Sequence, residues 1–212
     1  MIRLRIDANL PDPAVIDTAA AAIRLGGLVA LPTDTLYGLA ADPFNREAVQ
    51  RVFAVKRRSA GQPLPLVAAD LAQLVRHIGE LSPSVRRLAL RFWPGPLTLL
   101  VAAPPAIVAE ATGGTGRIGV RVPNHRVALD LCRACDRPLT ATSANVSGQP
   151  ASDDPDVVAA SFSDRSQIDL LLDAGRTTGG PPSTIVDLTG DAARLVRAGA
   201  IGWEEILACL QA

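Results

Sequence analysis

Leu31-Pro-Thr-Asp-Thr-Leu-Tyr-Gly-Leu39 is the stretch on which the reading of this chain turns. Leu28 to Leu31 is an apolar run that reads as a buried strand, and Pro32 ends its ladder because proline has no N–H to donate. Thr33, Asp34 and Thr35 then stand at the mouth of that strand, where open α/β sheets place ligand sites. Downstream, Asn45 caps a helix carrying Val49, Val52 and Phe53 on one face, which puts Lys56 and Arg58 at its C-terminal end and just beyond. Lys56 is the only lysine, and the other twenty cationic side chains are arginine. In that background a lone lysine points to a place that wants a compact ammonium rather than a planar fork.

Short strands and capped helices continue outward in both directions. Toward the N-terminus, a strand at Arg3 to Ile6 precedes a helix that Asp12-Pro13 starts and Gly26-Gly27 stops. Toward the C-terminus, Leu64 to Val67 is a weak strand that Pro63 and Pro65 demote to a sheet edge. Helices follow from Asp70 to His77 and from Ser82-Pro83 to Phe92, and Trp93-Pro-Gly-Pro96 turns rigidly into a strand at Leu97 to Val101. In the strand Arg117 to Val122, Arg117, Gly119 and Arg121 share one face and Ile118, Val120 and Val122 the other, so two guanidiniums point the same way. A helix from Arg126 to Cys135 leads to a strand at Leu139 to Ala141, which ends in a second polar mouth, Thr142 to Gly148. Asp154-Pro155 starts the next helix, strands follow at Ile168 to Leu172, Ile185 to Asp187 and Arg194 to Arg197, and Trp203 to Leu210 closes as an amphipathic helix. No repeat or low-complexity linker interrupts this order, so residues 1–212 read as one continuous α/β domain.

Composition agrees and narrows the function. The 212 residues are 48% hydrophobic but only 3% aromatic, so the core must be built from Ala, Val, Leu and Ile, which suits buried sheets covered by helices. Twenty-one cations cancel twenty-one anions, which removes any global electrostatic case for nucleic acid or membrane and leaves only a local basic cleft. No apolar run has the length of a membrane span and the N-terminus lacks the apolar block of a signal peptide, so the expected location is the cytoplasm. Three cysteines, an odd number, argue against a disulfide framework. Cys132-Arg-Ala-Cys135 has metal-like spacing but lies in a helical pattern with no second pair, so the cysteines read as structural and no metal ligands are assigned.

Several motifs lose to plainer readings. Gly114-Thr-Gly-Arg-Ile-Gly119 matches the dinucleotide fingerprint, but a strand follows it where a helix is required. No Gly-x-x-x-x-Gly-Lys-Ser/Thr loop exists, so an ATP site would have to be assembled from scattered cations and hydroxyls. Asp153, Asp154 and Asp156 read as helix-capping residues rather than cation ligands. With His77 and His125 the only histidines and no nucleophile elbow around Ser143, a Ser-His-Asp hydrolase has little to be built from. What remains is a distributed set at strand ends and on one strand face: Thr33 and Thr35, Lys56 and Arg58, Arg117 and Arg121, Ser143 and Asn145, Ser183 and Thr184, and Arg197. Its chemistry follows from charge: a triphosphate needs cations or Mg²⁺ around it, and a guanidinium such as Arg121 pairs bidentately with a small carboxylate.

These residues lie in blocks that resemble the YrdC/Sua5 family of threonylcarbamoyl-AMP synthases, in its short form without an added C-terminal domain. The blocks are Pro32-Thr-Asp-Thr-Leu-Tyr-Gly-Leu39, Lys56-Arg-Arg58, Trp93-Pro-Gly-Pro-Leu-Thr98, Gly119-Val-Arg-Val-Pro123, Thr142-Ser-Ala-Asn145, Pro182-Ser-Thr-Ile185 and Val196-Arg-Ala-Gly199, and the match runs from about Asp7 to Leu210. The resemblance implies a single-domain twisted open sheet of mixed strands, with helices on its faces and a concave basic ligand face. It implies synthesis of threonylcarbamoyl-adenylate and pyrophosphate from L-threonine, bicarbonate and ATP, with Mg²⁺ accompanying the triphosphate. It also implies a tRNA threonylcarbamoyl-transfer complex as partner in t6A modification of tRNA. By position, Thr33, Arg121 and Ser183 would hold threonine, and Lys56, Arg58, Ser143, Asn145 and Arg197 would hold ATP, with Thr35 and Arg117 as possible additions. Two departures stand out: Val67 occupies the place where the family often has histidine, and Arg117 the place of a common threonine beside the nucleotide. The competing readings are a divergent paralogue that binds RNA without making the adenylate, and a module that uses carbamoyl phosphate.

Overall fold

The computed structural model describes residues 1–59, 61–162 and 168–211. In chain order the elements are β1 (Ile2–Arg5), α1 (Pro13–Arg24), β2 (Val29–Leu31), β3 (Gly38–Ala40), α2 (Arg46–Lys56), β4 (Leu66–Val67), α3 (Leu71–Ile78), α4 (Pro83–Phe92) and β5 (Leu97–Ala102). A 3-10 turn at Ala109–Thr112 leads to β6 (Arg117–Arg121), α5 (Arg126–Cys135), β7 (Leu139–Thr140), β8 (Thr142–Ser143), α6 (Pro155–Ser161), β9 (Leu170–Asp173), β10 (Thr184–Asp187), β11 (Arg194–Arg197) and α7 (Trp203–Gln211). The helix starts are those expected from the caps. Asp12, Asn45, Asp70, Ser82 and Asp154 each accept a first-turn N–H through the side chain, and Pro13, Pro83 and Pro155 occupy first-turn positions where a missing N–H costs nothing. A strand, β6, follows the glycine-rich run at Gly113 to Gly116, as the rejection of a dinucleotide fingerprint requires.

The strands form two mixed ladders rather than one uninterrupted sheet, in the orders β1-β9-β2-β3-β8 and β11-β10-β5-β6-β4-β7. The chain crosses between them where β7 passes into β8 at Ala141. There Thr140 N–H donates to Ala41 O at 2.9 Å and Ala141 N–H donates to Pro65 O at 2.8 Å, so the two ladders are stitched at one seam. Two elements depart from the sequence reading. After the mouth at Thr33–Thr35 the chain turns back as β3, antiparallel to β2, so the mouth is a hairpin loop. β4 lies between β6 and β7 instead of at an edge. Pro63 and Pro65 shorten β4 to two ladder residues without exposing it, because both prolines precede the paired segment.

Alternate residues of β2 and β9 feed two cores. Val29, Leu31, Leu170 and Leu172 pack with Ile16, Ala19 and Ile23 of α1 and Leu131 of α5, while Ala30 and Leu171 face a larger cluster with α2, α4, β5 and β6. A strand buried on both faces needs the unbroken apolar run seen at Leu28 to Leu31. Cys132 and Cys135 sit in the smaller core, where burial pushes both thiols well above their ordinary range. Among the described residues no helix is long and apolar enough to cross a membrane.

Candidate active site

A cavity of about 420 Å³ lies at the seam of the two ladders. Of the ten residues that the resemblance assigns to the site, it brings Thr33, Thr35, Arg58, Arg121, Ser143, Ser183 and Arg197 into one lining, while Thr184, the eleventh of the distributed set, lies outside it. Thr98, Thr142, Gln62 and the apolar Leu36, Val67 and Leu100 complete much of the wall.

The hairpin loop is folded on itself. Thr33 Oγ1 donates to Leu36 O at 2.7 Å and lies 3.2 Å from Thr35 Oγ1, with the Thr35 N–H behind it at 3.3 Å. Tyr37, the only tyrosine, is fully buried, and its hydroxyl donates to Gly175 O and accepts from Ala174 N–H. Burial pushes this phenol up to about 12, so it acts as a neutral anchor. Beyond that anchor Thr177 and Thr178 donate to the carbonyls of Thr35 and Asp34 at 2.7 and 2.8 Å, tying the Gly/Pro-rich segment to the loop.

Arg121 ends β6, buried and fixed at two of the five N–H donors of a guanidinium: Nε donates to Gly95 O at 2.9 Å and Nη2 to Asp34 Oδ1 at 2.5 Å. The Trp93–Pro96 turn sets the first contact, because Gly95 N–H also donates to Val122 O at 2.8 Å, clamping the turn against the end of β6. Val67 is register partner to Arg121 on neighbouring β4, so an aliphatic surface stands beside the guanidinium.

Ser183 and Arg197 meet directly. Arg197 Nη2 donates to Ser183 O at 2.7 Å and to Ser183 Oγ at 3.0 Å, and Ser183 Oγ lies 2.8 Å from Thr98 Oγ1. Gly199 permits this closeness. A Cβ there would meet Pro182 O at 2.2 Å and Thr184 N at 2.5 Å, both backbone atoms that cannot step aside cheaply. Gly199→Ala is therefore expected to cost about 1–3 kcal/mol of stability through overpacking and to displace Ser183; a thermal melt with a lowered midpoint checks it, and an unchanged midpoint counts against it.

Arg58 holds the opposite wall, donating to Thr142 Oγ1 and to Pro63 O at 2.9 Å each, and its buried Nε has no acceptor among the described residues. Burial lowers the pKa of both Arg58 and Arg197, and Arg121 adds to the effect at Arg197. Neither has a carboxylate partner within salt-bridge distance among the described residues.

Three expected members stand elsewhere. Lys56 is 2% exposed and lies behind the wall: its ammonium donates to Ser143 O, to Asn145 O at 2.8 Å and to Asn145 Oδ1 at 3.1 Å. Asn145 also takes the Ser143 hydroxyl at 2.5 Å and donates to Gln149 O, so it shapes the loop without lining the cavity. The compact ammonium foreseen for Lys56 thus serves three converging oxygens, a geometry no guanidinium would fit in that space. Burial first, then the charge of Arg58, pulls Lys56 down to about 7. Arg117 shares the strand face of Arg121 but lies roughly 14 Å away along it at 3.4 Å per residue. Asp187 of β10 takes its guanidinium at 2.8 Å, outside the cavity. The sequence reading placed Asp34 at the strand mouth and Thr98 in one of the matching blocks but gave neither a role; a lone acid between two threonines was the available signal for the first.

Comparison with known proteins follows the same outline. A threonylcarbamoyl-AMP synthase of Pyrococcus abyssi is 41% identical over 191 residues, covering 90% of this chain and 56% of that protein. One from Bacillus subtilis is 36% identical over 200 residues, 94% of this chain and 57% of its own. The chain thus spans a little over half the length of these two curated relatives. The crystal structure of P. abyssi Sua5 complexed with L-threonine has a TM-score of 0.92 to this chain at 38% identity, covering 99% of this chain and 61% of that one. The family described as telomere recombination matches residues 21–199, and with these relatives it shows that the chain belongs to the Sua5/YciO/YrdC family.

Proposed function

We propose that this protein is an L-threonylcarbamoyladenylate synthase, joining L-threonine, bicarbonate and ATP and releasing pyrophosphate. The observation that carries the reading is one cavity lined by three guanidiniums, of which Arg58 and Arg197 have no acidic partner among the described residues while Arg121 is fixed by two contacts. Unmatched buried charge is costly, and a polyphosphate supplies what it lacks. The relatives' activity, and threonine in the related structure, support the same assignment.

In this reading Arg121, Thr33 and Ser183 hold threonine, with the remaining donors of Arg121 on its carboxylate and Thr35 beside Thr33. Arg58, Ser143 and Arg197 hold the nucleotide, and Lys56 and Asn145 set the Ser143–Asn145 wall from behind. The amine of threonine and bicarbonate condense with loss of water to a carbamate, whose oxygen attacks the α-phosphorus as the bond to the pyrophosphate breaks. The two substrate sets meet at the Arg197–Ser183 contact, the place where carbamate and α-phosphate would approach. Carbamate is already ionised, so positioning and positive charge do most of the work. Among the described residues no carboxylate is in the lining, and Asp34 behind it is paired with Arg121, so Mg²⁺ would be held by the triphosphate rather than by protein ligands. The product would pass to a tRNA threonylcarbamoyl-transfer complex in the cytoplasm.

Pyrophosphate release tests the proposal: turnover should require L-threonine and bicarbonate together, and release without either contradicts it. A pH dependence follows from Lys56. Its amine is half protonated near pH 7, and phosphate held against the Ser143 wall favours the charged form, so ATP binding takes up a proton. ATP affinity should therefore weaken by up to about tenfold per pH unit as pH rises above about 7, while Lys56→Met flattens the slope. Calorimetry in buffers of different ionisation enthalpy reads the proton directly.

A further inference from the structure

Of the three guanidiniums that line the cavity, Arg121 alone has a carboxylate partner among the described residues. That partner, Asp34, is not itself in the lining but stands between two residues that are, Thr33 and Thr35, in the hairpin loop, its carbonyl gripped by Thr178 at 2.8 Å. Both side chains are about a tenth exposed, 9% for Arg121 and 11% for Asp34. Asp34 Oδ1 takes Arg121 Nη2, while its second oxygen has no hydrogen-bond partner among the described residues and is not one of the buried unpartnered atoms. His125 is close enough to feel the Asp34 charge, yet burial lowers its pKa, so it adds no positive charge there at neutral pH. Among the described residues Arg121 is therefore the one countercharge in contact with Asp34.

We propose that Asp34 reads the ammonium of the amino-acid substrate and makes the site select α-amino acids over carboxylates that lack the amine. The inference rests on the amino-acid reading of this cavity. A carboxylate that takes the remaining donors of Arg121 lands beside a fixed negative charge, which opposes it. A zwitterion brings the compensating charge with it, its carboxylate on Arg121 and its ammonium on the open oxygen of Asp34. Discrimination comes from repulsion of the wrong ligand as much as from attraction of the right one. Asp34 is thus a specificity residue, and the loop that Thr33, Thr177 and Thr178 pin in place is what holds it at the guanidinium.

The test compares binding of L-threonine with that of 2,3-dihydroxybutyrate of matching stereochemistry, in which a hydroxyl replaces the ammonium, by calorimetry on the intact protein. The wild-type protein should prefer threonine by about 10- to 100-fold, the range of a hydrogen bond to a charged group. In Asp34→Asn the preference should fall to within a few-fold, with the hydroxy acid bound more tightly than by wild type. Retained hydroxy-acid binding also shows that the Arg121 fork is intact. Asp34→Glu, which keeps the charge, should keep the preference, and it decides the matter if the Asn variant fails to fold. An unchanged preference in Asp34→Asn, an equal loss of both ligands there, or a preference lost in Asp34→Glu overturns the proposal while leaving the synthase reading in place. A wild-type protein that binds neither ligand overturns both.

Discussion

Replacing Arg121 with alanine is expected to raise the KM for L-threonine by about 100-fold or more and to lower the melting temperature by several degrees. Two separate physical effects produce the two readouts. The guanidinium supplies a planar fork for a carboxylate, and charge-assisted bidentate pairing is among the strongest contacts a small acid can make. Its removal also leaves Asp34, with a side chain only 11% exposed, without its countercharge, and breaking a buried pair from one side costs about 3–5 kcal/mol. The carbonyl of Gly95 loses its donor as well. Arg121→Lys keeps a charge but not the fork, so it should recover stability more fully than it recovers threonine affinity. ATP binding measured alone should change much less in either variant. A threonine KM for Arg121→Ala equal to that of the wild-type protein would remove Arg121 from the amino-acid site.

The second large effect is expected at Lys56, which acts on the site from behind its wall. In Lys56→Ala the carbonyls of Ser143 and Asn145 and the Asn145 side-chain oxygen lose a shared donor, and the Ser143–Asn145 segment loses what fixes it. Hydrogen bonds with one charged partner, here the ammonium donor, are worth about 1.5–3 kcal/mol each, so kcat/KM for ATP should fall by at least about 100-fold. Circular dichroism should still report a folded protein. The ammonium has no acidic partner within salt-bridge distance among the described residues, and a pKa of about 7 against an ordinary 10.5 means that burying the charge opposes folding most below about pH 7, an opposition that fades as pH rises toward 10.5. Lys56→Arg should fail to rescue turnover, because a site that is 2% exposed and shaped for a point charge cannot take a planar fork. Wild-type turnover in Lys56→Ala would contradict this role.

Much of this organisation was legible before any coordinates. The five helix starts announce themselves because a short polar side chain before an apolar period has one common use, and each accepts a first-turn N–H. Pro32 and the Arg121 strand face marked two places where the chain borders the cavity, at Thr33 and at Arg121. Less legible was anything decided by a partner far along the chain. Nothing near Arg117 foretells that Asp187, seventy residues away, captures it, and nothing near Pro63 foretells that β4 is covered on both sides. β3, β4 and β7 are too short to display a period, so the division into two ladders was beyond sequence patterning. The uniqueness of Lys56 drew attention to a buried ammonium, but a composition argument cannot say on which side of a cavity wall it lies.

The central claim is that this cavity joins a threonine carbamate to the adenylyl group of ATP with release of pyrophosphate. The most direct measurement is mass spectrometry of the nucleotide products after incubating the protein with ATP, Mg²⁺, L-threonine and isotopically labelled bicarbonate. The account predicts an adenylate bearing threonine and the labelled carbon, formed together with pyrophosphate and lost when either co-substrate is withheld. ATP left unchanged, or an AMP product without threonine and label, would contradict it.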